Sequence, residues 1–117
     1  MERPKIQVAI PKQRYQLGSY QAVVLGEIES GDERRYQYIL ALVKQDETQP
    51  GFYVTAEKNP RAHAHEGAYR LRVMTEGLSE ELGSSDRWGD IDAFAAEGLA
   101  LAADALGLGR EQPLRQM

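Results

Sequence analysis

The chain has 117 residues, a formal net charge of −4, 42% hydrophobic and 27% charged residues, and no cysteine. That length predicts one domain burying about two-thirds of its open-chain surface, and a two-domain cofactor enzyme does not fit within it. The lack of cysteine excludes disulfides, thiolate nucleophiles, iron–sulfur clusters and cysteine zinc sites together.

Charge is unevenly placed. Residues 1–76 hold eleven basic and ten acidic side chains, and residues 77–117 hold three and eight. This acidic balance argues against non-specific binding to nucleic acid or anionic membranes. The N-terminal residues Met1 to Val8 lack the apolar centre of a signal peptide, and no apolar run reaches the ~18 residues of a membrane span. The expectation is a cytoplasmic protein without membrane association.

Lys5 to Ile10 alternates, with Ile6, Val8 and Ile10 on one face, and predicts a half-buried strand ended by Pro11. Arg14 to Leu17 is a short strand candidate before a bend at Gly18-Ser19. Tyr20–Glu29 and Arg35–Lys44 flank the turn cluster Ser30-Gly31-Asp32-Glu33 and read as a β-hairpin. Pro50-Gly51 is a favoured turn pair before the strand Phe52–Glu57. A loop from Asn59 to Gly67 leads to Ala68–Thr75, where Tyr69, Leu71 and Val73 alternate with Arg70, Arg72 and Met74.

After Gly77 the period changes. Ser79 to Leu82 reads as one helical turn capped by Ser79 and stopped at Gly83. Asp90 is placed to cap the main helix, whose stripe holds Ile91, Phe94, Ala95, Gly98, Leu101, Ala102 and Ala105. Gly107 and Gly109 end it. Residues 1–109 are expected to form one domain and residues 110–117 a frayed, flexible tail. The predicted fold is α+β: an antiparallel sheet of about five or six strands, mostly a meander, with a C-terminal helix on one face. A curled, barrel-like sheet is the alternative.

Catalytic signatures are missing. Ser19, Ser30, Ser79, Ser84 and Ser85 occupy turn or cap contexts, and no Gly-x-Ser-x-Gly, phosphate-loop or dinucleotide-loop pattern occurs. Asp86, Asp90 and Asp92 lack the oxygen spacing of a calcium loop. No cofactor is expected. The one metal candidate is His63-Ala64-His65-Glu66, whose two imidazoles share a face in extended chain.

Three functional readings follow. The leading one is a small non-catalytic module that binds a protein partner or a second copy of itself, as a homodimer, through a sheet edge, a loop or the ridge of Ala96, Ala100 and Ala103. The second is a small-ligand binder or minor enzyme, with a pocket between helix and sheet lined by Tyr36, Tyr38, Phe52 and Phe94. The third binds single-stranded nucleic acid through Arg34, Arg35, Tyr53, Arg70, Arg72 and Trp88. Against the third, Arg70 and Arg72 are expected opposite Tyr53, Thr55 and Glu57, as ion pairs on a solvated sheet face.

Overall fold

The computed structural model describes residues 4–31, 34–59, 67–75, 77–109 and 111–116. The order is β1 (Ile6–Leu17), β2 (Tyr20–Ser30), β3 (Tyr36–Lys44), β4 (Phe52–Lys58), β5 (Tyr69–Thr75), β6 (Leu78–Ser85), a 3-10 turn (Asp86–Gly89), α1 (Ile91–Ala105) and β7 (Leu114–Arg115). The sheet runs β6-β5-β4-β3-β2-β1-β7, with every neighbouring pair antiparallel. The two ends of this order do not pair with each other, so the sheet is open and not a barrel. The fold is α+β, a meander carrying one helix, as expected.

Three local expectations are corrected. β1 continues through Pro11, because only Tyr15 and Gln16 of β1 face a further strand and an edge position tolerates the missing N–H. Register shifts along β1 break the alternation of Ile6, Val8 and Ile10. Ile6 packs inward, while Val8 and Ile10 are 50% and 45% exposed. Ser79 to Leu82 is part of strand β6 and not a helical turn. Leu78 and Leu82 fit a helical spacing and an alternating one equally, and pairing along β5 decides between them. Near the C-terminus Leu114 and Arg115 form β7 against β1, and the Gln116 N–H donates to Arg14 O at 2.7 Å.

The main core lies between sheet and helix. Alternate residues of each strand face it: Ala22 and Val24, Leu40 and Leu42, Phe52, Val54 and Ala56, then Leu71. From α1, Phe94, Ala95, Leu99 and Ala102 complete it. Full burial of Phe94 and Leu99 contributes about 1.5–3 kcal/mol each. Gly98 permits close approach: a Cβ there would stand 2.8 Å from Leu40 Cδ2. Asp90 caps α1, its Oδ2 accepting from the Ala93 N–H at 2.9 Å. A polar strut also ties β1 to the helix. Tyr15 Oη donates to Gln13 Oε1 at 2.7 Å, and Gln13 Nε2 donates to Asp92 Oδ1 at 2.9 Å.

The opposite face is also buried, although no described helix covers it. Tyr36, Ile39, Ala41, Tyr53 and Met74 cluster there, with Ile6, Leu25 and Ile28 against them. The Gly18-Ser19 turn joins β1 to β2 with Gly18 at φ +57, which a mirror-image hairpin turn requires.

Gly98→Val is expected to lose about 1–3 kcal/mol by overpacking against Leu40. Ala96→Val, on the exposed side of α1, is expected to change stability by no more than about 1 kcal/mol. Urea unfolding midpoints of the two variants check this.

Candidate interaction surface

A charged lattice holds the β4–β5–β6 end of the sheet. Glu57 sits on the face away from α1 and is 1% exposed. Cross-strand pairing sets Glu57 opposite Arg70 and Thr55 opposite Arg72. Arg72 Nε donates to Glu57 Oε1 at 2.7 Å. Arg34 Nε lies 3.7 Å from the same oxygen, and Arg70 Nη2 lies 3.8 Å from Glu57 Oε2. Thr55 Oγ1 donates to Glu57 Oε1 at 3.4 Å.

Two of these arginines extend outward to β6. Arg70 Nη1 pairs with Glu81 Oε1 at 3.0 Å, and Arg72 Nη1 donates to Ser79 Oγ at 3.2 Å. Ser79 and Glu81 are thereby fixed on the arginine face. Alternation turns Leu78 and Glu80 to the helix side. Leu82 is the extra residue at a shift in the β5–β6 register and faces the helix-side groove beside Leu71 and Trp88. The far end of β6 is pinned as well. Asp86 Oδ1 accepts from the Ala68 N–H at 2.8 Å, and Ser85 Oγ accepts from the Arg87 N–H at 3.1 Å.

β6 is the outermost strand on its side, and no described strand pairs with its outer edge. Leu78 and Leu82 remain 44% and 42% exposed there. Behind Leu82, a groove of about 370 Å³ runs between β6 and α1, lined by Leu71, Leu82, Trp88, Glu97 and Leu101 among others. The other edge of the sheet is obstructed: Pro11 lacks a donor, and β7 covers Tyr15 and Gln16.

The residues named from sequence separate by face. Arg34, Arg70, Arg72 and Tyr53 lie on the face away from the helix, with the three arginines around Glu57. Trp88 is buried in the helix-side core under the Arg87 guanidinium, 5.3 Å from the ring centre, so it shares no platform with Arg70 and Arg72. Arg35 is exposed just before β3. Tyr38, Phe52 and Phe94 pack together in the helix-side core, with the Tyr38 and Phe94 ring centres 5.7 Å apart. Tyr36 joins the opposite cluster, so these four do not line one pocket between helix and sheet. His63, His65 and Glu66 lie outside the described residues. Among the described residues, no cluster of three or more His, Cys, Asp and Glu is arranged to hold a metal, and no helix is long and apolar enough to cross a membrane. The ion pairs expected between Arg70, Arg72 and Glu57 form, but at a buried carboxylate and not on a solvated face.

Sequence reading missed the β6 edge because Ser79 to Leu82 read as a helical turn. The usable signal was the pair Leu78 and Leu82 alternating with polar residues beside Gly77. Comparison with family models, with curated proteins and with solved structures gives no match to this chain.

Glu57→Gln is expected to cost about 2–3 kcal/mol. This falls below the ~3–5 kcal/mol of a fully buried broken pair because the arginines keep some water contact. Glu81→Gln, at the exposed end of the lattice, is expected to cost less than about 1 kcal/mol. Chemical denaturation of both variants reads the difference.

Proposed function

We propose that the protein is a small non-catalytic interaction module that receives an extended segment of a partner protein along the edge of β6. The observation that carries this reading is an unpaired strand edge bearing two half-exposed leucines beside an apolar groove. An added strand gains main-chain hydrogen bonds from the edge and specificity from side chains that alternate toward the groove.

The chemistry of the edge points to the sequence of the partner. On the helix side β6 presents Leu78, Glu80 and Leu82, and Glu97 lines the groove behind them. Favourable cross-strand pairs then require apolar, basic and apolar residues at every second position of the incoming strand. A two-fold pairing of β6 with a second copy sets Glu80 and Glu81 against the same acids, which disfavours the homodimer and supports a different partner. Cysteine-free composition supports a cytoplasmic setting for this role.

Selection from a random eight-residue peptide library on the immobilised protein tests the proposal. Enrichment of apolar-x-basic-x-apolar sequences is expected, with affinity reduced at least tenfold by Leu82→Asp. Because Leu82 is half exposed, that variant keeps its unfolding midpoint. No enrichment, enriched peptides indifferent to Leu82→Asp, or a β6-dependent homodimer by native mass spectrometry overturns the reading.

A further inference from the structure

A second cleft lies across the sheet from the β6 groove, where β2 and β3 approach their connection. It has a volume of about 530 Å³, within the range of small-molecule sites, and is lined by Lys12, Glu27, Ile28, Glu29, Tyr36, Gln37, Tyr38 and Lys58. Its position follows from irregular backbone. The β3–β4 register shifts between Tyr36 and Tyr38, and the β1–β2 register shifts between Val8 and Ile10. Bulges on both sides of this corner bend the strands apart. Glu27 lies inside the second irregularity with φ 48, a conformation that non-glycine residues rarely adopt. Such strain concentrates where a surface is shaped for a ligand.

The charges of the cleft are divided. Lys12 and Glu27 pair with each other across β1 and β2. Lys58, on β4, and Glu29, on β2, line the same cleft and make no ion pair among the described residues. By alternation Lys58 follows Glu57 onto the Tyr38 side of the sheet, and Glu29 follows Ile28 there. Two strand spacings, about 10 Å, separate the β2 and β4 backbones, with the tyrosines of β3 between them.

From this we infer that the cleft binds a small zwitterion of short-peptide size, its carboxylate at Lys58 and its ammonium at Glu29. An extended tripeptide spans about 10 Å, which matches the separation of the two walls. Its side chains then lie over Tyr38, on the same side of the sheet. The site is independent of the β6 edge and shares no residue with it.

Amide-shift titration of the isotope-labelled protein with trialanine tests the inference. Saturable shifts are expected at residues 27–29, 36–38 and 58. Lys58→Gln and Glu29→Gln should each weaken binding about tenfold; both side chains lie outside the core, and unchanged spectra elsewhere confirm the fold. N-acetyl-trialanine should lose its sensitivity to Glu29→Gln, and trialanine amide its sensitivity to Lys58→Gln. The inference is overturned if peptides of two to five residues give no saturable shifts there, or if binding ignores both substitutions or the capping of both ends.

Discussion

One buried carboxylate governs the arrangement of four strands. Glu57 is closed to solvent and lies within ion-pair distance of Arg34, Arg70 and Arg72. A charge in that position costs several kcal/mol unless partners surround it, so the alternatives to this arrangement are heavily penalised. A one-residue slip of β4 would carry Glu57 to the apolar side beside Leu71, and would set Ala56 among the guanidiniums. The carboxylate thus fixes the register of β4 against β5. Through Arg70 and Arg72 it also fixes how β6 presents its two sides.

The sheet divides its work between its faces. On one, small residues of α1 lie close to the strands, and Gly98 against Leu40 sets the closest approach. That face is held by apolar burial and by the strut from Tyr15 through Gln13 to Asp92. On the other, a compact group of Ile39, Ala41, Tyr53 and Met74 merges into the arginine lattice without any described helix above it. Register irregularities occur along β1 and β2, beside Tyr36 where β3 meets β4, and at Leu82 where β6 meets β5. The ionic lattice at β4, β5 and β6 and the irregular β1–β2 pairing therefore lie on different strands of one sheet.

Much of the architecture was legible because its signals were local. The turn cluster at 30–33 and the Pro50-Gly51 pair bounded β2, β3 and β4 closely, and Asp90 marked the start of α1. The facing of Arg70 and Arg72 toward Thr55 and Glu57 followed from strand alternation alone. Burial did not follow, because alternation gives a side and not a depth: Glu57 carries the sequence signature of an exposed ion pair. β6 was misread since its leucines satisfy two periods at once, and only the edge of β5 resolves them. Leu99 was left off the helix stripe, yet it is buried. The cleft at Lys58 and Glu29 depends on bulges, which add a residue to one strand and leave no pattern in composition.

The covering helix is synthesised after the six strands β1 to β6. When β6 is complete on the ribosome, the apolar side of the sheet, from Val24 through Leu40 and Val54 to Leu71, has nothing to pack against. The twenty residues from Asp86 to Ala105 add about 1–4 s of translation at ordinary speeds. During that interval the nascent sheet exposes this apolar face. The rate at which codons 86–105 are read then sets how long the chain is open to aggregation before α1 closes over it.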